Sequence, residues 1–179
     1  MTTSSFPTLE WIIKRIDGFT DFTGRSIAWI TGIMVIITCI VVVLRHVFSI
    51  GSIGLQESVT YMHALVFMMG AAYALKTGDH VRVDILYRRF SPMTKAWIDA
   101  LGSLLFALPV MLFIGFGSWD FVKESWRIGE GSNDSGGLAG VYLLKTLLLI
   151  MAVCVSLQAV AELLRNLLIL MLPAKEASS

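Results

Sequence analysis

The stretch that organises the chain is GLQESVTYMHALVFMMGAAYALKTGDHVRVD, residues 54–84. After the acid Glu57, the eighteen residues 58–75 carry no formal charge, and the segment leaves through Lys76. At about 1.5 Å of rise per residue, such a run is long enough to cross a bilayer as a helix. Small side chains near its end favour packing against another helix. These are Gly70, Ala71, Ala72 and Ala74.

The composition extends this interpretation to the whole chain. Of its 179 residues, 56% are hydrophobic and 15% are charged, with a mean hydropathy of +0.76. Soluble domains are nearer 45–50% apolar and roughly 25% charged. The excess lies in blocks, which indicates an integral membrane protein, and the net charge of +1 argues against a nucleic-acid partner. Cys39 and Cys154 lie in apolar runs and are interpreted as small buried residues.

The apolar runs predict an all-α membrane protein, a single membrane domain over residues 1–179. It has four transmembrane helices and an N-terminal amphipathic helix at the membrane surface. The predicted segments are an interfacial helix at 8–23, spans at 26–48, 57–76, 92–121 and 140–164, and a disordered tail at 173–179 that begins where Pro173 ends the last helix.

Local signals mark the ends of these segments. Gly78 is well placed to end the second span in a left-handed cap. Ser91 and Pro92 read as an N-cap followed by proline at the first helical position. In residues 8–23 the apolar side chains recur at helical spacing, and Asp17 falls outside their pattern. This segment either lies in the membrane surface or packs on the soluble face of a partner. Its apolar residues are Leu9, Ile12, Ile13, Ile16 and Phe19.

Basic residues predict the orientation of the four spans. Ten lysines and arginines fall on the side of the two termini and of the loop between spans two and three, and four fall on the other side. An excess of basic residues marks the cytoplasm, so both termini are expected there. Glu57 and the loop at 128–140 then face outward.

Few residues in the spans have the chemistry of a site. Glu57 is either a proton or cation site or a carboxylate favoured by the positive end of its helix. His46 and His63 lie in the outer halves of neighbouring spans, so a haem held by both is conceivable, although an interhelical hydrogen bond by His63 is the simpler interpretation. In the last helix, Gln158 and Glu162 share one face and are expected to contact another helix.

The sequence contains no nucleophile–base pair, set of metal ligands or phosphate-binding loop. It also shows no internal repeat or interrupted pair of spans, which transporters usually carry around a midplane site. The residues therefore predict an accessory or scaffolding membrane subunit that is not an enzyme and needs no cofactor or metal.

Two motifs resemble the small membrane subunit of tripartite ATP-independent periplasmic (TRAP) transporters, the DctQ-like family. The first runs through the second span and the loop after it, and the second lies in the last helix. The resemblance covers roughly residues 10–170. It departs from the pattern at GGLAGVYLLK, residues 136–145, where many relatives carry prolines. The matching residues are Glu57, Tyr61, Gly70, Ala71, Ala74, Gly78, His80, Val81, Arg82, Val83 and Asp84, then Lys145, Gln158, Ala161, Glu162 and Arg165.

The resemblance implies a multi-pass protein of the bacterial inner membrane, in contact with phospholipid. It would scaffold a large multi-span subunit for sodium-coupled uptake of an organic acid delivered by a periplasmic solute-binding protein. The alternatives are a small haem b protein and a self-sufficient small transporter. The residues expected to act in packing and structure, rather than in substrate binding, are Glu57, Tyr61, Gly70 and Ala74 between helices, Gly78, His80, Arg82 and Asp84 in the inner loop, and Lys145, Gln158 and Glu162 in the last helix.

Overall fold

The computed structural model describes residues 6–78, 87 and 90–176, and within them the chain is helical without any strand. Four helical segments are long and apolar enough to cross a membrane, which confirms the predicted all-α membrane fold. The helices are α1 (Pro7–His46), α2 (Ile53–Thr77), α3 (Pro92–Gly102), a π-helical turn (Ser103–Ala107), α4 (Leu108–Gly117), α5 (Trp119–Ile128) and α6 (Val141–Glu176).

The predicted interfacial helix and the predicted first span are joined without a break. Residues 7–46 form one continuous helix of 40 residues. Nothing between Asp21 and Ser26 breaks a helix except Gly24, and a single glycine is tolerated where a neighbouring helix packs closely against it.

The predicted end of the last helix at Pro173 is wrong. Helix α6 continues to Glu176, and residues 177–179 lie outside the described part of the chain. A proline removes one backbone donor but leaves the other hydrogen bonds of the helix in place, so a helix can continue past it.

The predicted caps are confirmed. Gly78 follows α2 in the left-handed conformation, with φ of 74°, and its N–H donates to the carbonyl of Ala74. Ser91 caps α3, because its hydroxyl accepts from the N–H of Thr94, and Pro92 is the first helical residue. Local sequence therefore sets where these helices begin and end.

The third span is interrupted by the π-helical turn before Pro109. The N–H of Leu108 donates to the carbonyl of Ser103, five residues earlier. The ring of a proline clashes with the carbonyl four residues before it, here that of Leu105, and a wider turn relieves this clash. After a turn at Ser118, the helix resumes as α5 and ends at Gly129 in the left-handed conformation.

Helix α6 is the centre of the bundle, because it contacts α1, α2 and all parts of the third span. Its buried side chains include Cys154, Val155 and Ala159, and the first two pack with Ala72 of α2. Helix α1 packs mainly on α2 and more lightly on α6. The small size of these core residues lets the helices approach closely.

Candidate functional site

Two groups of hydrogen-bonded polar side chains lie at opposite ends of the bundle. The first group, here called the Asp17 cluster, comprises Asp17 and Thr20 of α1 with Gln158, Glu162 and Arg165 of α6. Gln158 is fully buried at its centre. The Thr20 hydroxyl donates to Gln158 Oε1 at 2.8 Å. Gln158 Nε2 donates to Asp17 Oδ1 at 3.1 Å and to Glu162 Oε1 at 3.2 Å.

The charges of the Asp17 cluster are paired between helices. Arg165 donates to Asp17 Oδ2 at 2.7 Å and to Glu162 Oε1 at 2.5 Å, so one guanidinium holds two carboxylates. Lys76, at the end of α2, donates to the Asp17 carbonyl at 3.3 Å and pairs with Asp21 at 2.5 Å. The cluster therefore joins three helices with charge-assisted hydrogen bonds, which are about twice as strong as neutral ones.

The second group, here called the Glu57 clamp, fixes the loop before α6. The Ser132 hydroxyl donates to Glu57 Oε1, and the Leu138 N–H donates to Glu57 Oε2 at 2.6 Å. The loop is also closed on itself, since the Ser132 N–H donates to the Leu138 carbonyl at 2.9 Å. Gly137 leaves space for the Glu57 carboxylate, because a Cβ at residue 137 would lie only 2.8 Å from Glu57 Oε1.

A second set of contacts holds the same loop to α6. Lys145 pairs with Glu130 at 2.5 Å, and its ammonium lies 3.8 Å from the centroid of the Phe121 ring. The hydrogen bond from Lys145 lowers the pKa of the Glu130 carboxyl. Trp126 Nε1 donates to Thr146 Oγ1 at 2.8 Å. Both ends of the loop are thus anchored by polar contacts.

Some of the predictions for single residues can be compared with these contacts. The predicted contact of Gln158 with another helix is seen, through Thr20 and Asp17 of α1, whereas Glu162 accepts from Gln158 and Arg165 of its own helix. Glu57 contacts a loop rather than a neighbouring helix. Tyr61 lines a cleft of about 470 Å³ between α2 and the start of α6.

The small residues of α2 divide into two groups. Ala72 is buried in the core, whereas no atom lies within 4 Å of where a Cβ on Gly70 would stand, and Ala74 is half-buried. Among the helical glycines, the one that a neighbouring helix obstructs most closely is instead Gly24 of α1, where a Cβ would lie 2.6 Å from Tyr73 Cγ. The packing position that the sequence did not reveal is therefore Gly24.

The predicted face of the first helix needs a correction. A stripe of five residues on α1 turns toward the bundle, and it includes Asp17, whereas Phe19 is 48% exposed. The sequence pattern places Asp17 on the polar face, because its partner Arg165 lies 148 residues away in the sequence and the two meet only in the folded chain. The stripe comprises Ile13, Asp17, Thr20, Gly24 and Ile27.

Three of the predicted structural residues, His80, Arg82 and Asp84, lie outside the described part of the chain. The two histidines of the haem alternative are both described. His46 Nδ1 lies 3.0 Å from the Val42 carbonyl, and His63 stacks on Phe67 with ring centroids 6.4 Å apart. Each of these contacts is made within one helix.

Comparison with known proteins tests the resemblance to the DctQ-like family. The family model for "Tripartite ATP-independent periplasmic transporters, DctQ component" matches residues 34–168, most of the chain. The chain is 27% identical over 109 residues to the C4-dicarboxylate TRAP transporter small permease protein DctQ of Vibrio cholerae serotype O1.

That alignment covers 60% of this chain and 47% of the relative, so the chain spans about half the length of the protein it matches. No solved structure matches the chain. The family expected from the second span and the last helix is confirmed, and the chain belongs to the DctQ component family of tripartite ATP-independent periplasmic transporters.

Proposed function

We propose that this chain is the small, non-catalytic scaffold of a TRAP transporter, and that it holds a large multi-span subunit in place for sodium-coupled uptake of an organic acid. A periplasmic solute-binding protein would deliver the substrate. The family is one of transporter subunits rather than enzymes, and the chain is a multi-pass protein of the bacterial inner membrane.

The observation that carries this proposal is how the described polar side chains are used. In the Asp17 cluster and the Glu57 clamp they bind one another across helices or across a loop, and Glu162, which also borders a cavity of about 520 Å³, is held by Gln158 and Arg165. A transport site needs polar groups that are free to exchange partners with a substrate or ion. Paired groups at both ends of a bundle instead resist relative motion of its helices, as a scaffold requires.

The orientation is part of the proposal. With both termini in the cytoplasm, the Asp17 cluster lies at the cytoplasmic end and the Glu57 clamp at the periplasmic end. Lys76 then lies on the cytoplasmic side, and we assign His80, Arg82 and Asp84, which follow it in the sequence, to fixing the predicted inner loop rather than to substrate binding. The anchored loop at 129–140 faces the side on which the binding protein would approach.

Arg165→Ala tests the scaffold role. Arg165 and Arg127 each pair with a glutamate three residues earlier, but only Arg165 also reaches another helix, through Asp17. Since Arg165 is 35% exposed, its loss should lower the free energy of unfolding by roughly 1–3 kcal/mol. The matched variant Arg127→Ala should lower it by less than about 0.5 kcal/mol.

The functional readout is co-purification with the large subunit and uptake of radiolabelled succinate, chosen because the Vibrio relative is named for C4-dicarboxylates. We expect Arg165→Ala to reduce the amount of complex and the uptake rate together, with an unchanged KM. A normal amount of complex with an altered KM would instead place Arg165 in the substrate path and contradict the proposal.

A further inference from the structure

One face of α2 is exposed over most of its length. Its residues follow one another at alternating spacings of four and three, so they form a single stripe along the helix. The first four are exposed and the last two are half-buried. This α2 stripe comprises Gln56, Thr60, His63, Phe67, Gly70 and Ala74.

His63 is the residue of the stripe least suited to lipid. It lies ten residues into α2 and six residues, about 9 Å, after Glu57, and so in the outer half of a hydrocarbon core of about 30 Å. Its imidazole is exposed, stacks on Phe67 and has no hydrogen-bond partner in the described part of the chain. A polar group in hydrocarbon without a partner is costly, and such groups usually face protein.

Next to the stripe lies a groove between α1 and α2. Its volume is about 440 Å³, enough to receive several side chains of another helix, and two residues of the stripe, Thr60 and His63, form one of its edges. The other lining residues are Met34, Val35, Thr38, Cys39 and Val59. Thr38 and Thr60 satisfy their hydroxyl donors on carbonyls of their own helices, so His63 is the group here that most needs a partner.

The far half of the stripe permits close approach of a second backbone. No atom of the described chain lies within 4 Å of a Cβ placed on Gly70, and Ala74 follows one turn later. The contacts inside the chain use other small residues, Gly24 and Ala72. A small side chain, an open surface and a hydrogen-bonding group within the span on one helix face together fit an interface between helices.

We infer that the α2 stripe and the adjoining groove bind a membrane-spanning helix of the large subunit, which offers a hydrogen-bonding group to His63 and packs closely at Gly70. This inference rests on the proposed function. Lipid tails fill such a surface but cannot satisfy the imidazole. The family is one component of a tripartite transporter, so a subunit of different sequence is the occupant to which we commit, and a second copy of this chain is an outcome that the test distinguishes.

The test is photo-crosslinking of the co-expressed complex in native membranes. Benzoylphenylalanine replaces Phe67, on the stripe, or Phe113, in the third span; the two side chains are 71% and 79% exposed, so they form a matched pair. We expect a crosslinked adduct with the large subunit when the probe is at position 67 and no such adduct when it is at position 113. Co-purification of the chain with the large subunit is measured in parallel.

A second variant tests close packing. Gly70→Leu adds bulk where this chain leaves room, so the chain should remain folded, while affinity for the large subunit should fall by about tenfold or more. Gly117→Leu, at an exposed helical glycine that also lacks neighbours within 4 Å, should leave it unchanged.

The outcomes separate this inference from the proposed function. If the complex forms but position 67 crosslinks only to lipid or to a second copy, the docking surface is wrong and the scaffold role stands. Wild-type binding by Gly70→Leu would also overturn the docking surface. If the wild-type chain does not co-purify with the large subunit at all, the proposed function fails, and the docking surface fails with it.

Discussion

Substitution of Gly24 by alanine should reveal how tightly α1 packs on α2. The new Cβ would lie 2.6 Å from Tyr73 Cγ and 3.0 Å from Tyr73 Cβ. These atoms form the root of the tyrosine side chain, so a rotation of the ring does not move them far away. The two helices must therefore separate locally or the Tyr73 backbone must shift.

Two effects of opposite sign decide the result. Alanine is favoured over glycine within a helix by about 1 kcal/mol. Overpacking of a close contact costs about 1–3 kcal/mol. Gly18 lies in the same helix, and no atom lies within 4 Å of where its Cβ would stand. Gly18→Ala therefore gains the helix propensity of alanine without the cost of overpacking. The difference between the two variants isolates the strain, with Gly24→Ala less stable by about 1–3 kcal/mol.

The assay is thermal unfolding of the purified chain in detergent. For a chain of this size, about 2–4 °C of Tm corresponds to 1 kcal/mol, so Gly24→Ala should melt roughly 2–12 °C below Gly18→Ala. Adding Tyr73→Ala removes the obstructing ring and should recover most of the difference in a double-mutant cycle. Equal Tm values for the two glycine variants would refute the close contact, as would a cycle without coupling.

Three further predictions concern the loop and the stripe. Glu130→Gln should lower the Tm at pH 7. Because the hydrogen bond from Lys145 lowers the pKa of Glu130 below its ordinary 4.5, that stabilisation is complete above pH 4.5 and is lost as pH falls through the lowered value, so the wild-type advantage should vanish in acid. Gly137→Ala should displace Glu57 and speed proteolysis of the loop; unchanged cleavage would contradict the clamp. His63→Leu should weaken binding of the large subunit more than His63→Gln, in co-purification from membranes.

The fold could be predicted from the sequence where its causes are local. An uncharged run of the right length specifies a span by itself, and Gly78 and Ser91 act on hydrogen bonds within a few residues of their own positions. Pro173 shows the limit of such signals, since it is a helix breaker by propensity that α6 nevertheless contains. Local preference is overridden when the surrounding helix retains its other hydrogen bonds.

The candidate site could be predicted only in part, because its partners are distant in sequence. Gln158 and Glu162 reveal themselves as polar residues within an apolar helix. Asp17 does not, because an acid in a charged segment reads as a solvated residue until Arg165 is placed beside it. Ser132 likewise reads as one loop serine among several until Glu57 is seen to accept from it.

The glycines show why composition predicts that helices pack closely but not at which residues they do so. Gly24 is the helical glycine that another helix obstructs most closely, whereas Gly70 is open, although Gly70 stands in the more suggestive run of small residues. If small residues mark interfaces between helices, a small residue without a neighbour in its own chain marks an interface with another chain. The same reasoning applies to polarity: the polar groups of the Asp17 cluster and the Glu57 clamp are paired within the chain, and the imidazole of His63 has no hydrogen-bond partner in the described part of it. Among the described residues, the polar contacts at both ends are thus made within the chain, and the exposed face of α2 is where we have placed the helix of the large subunit.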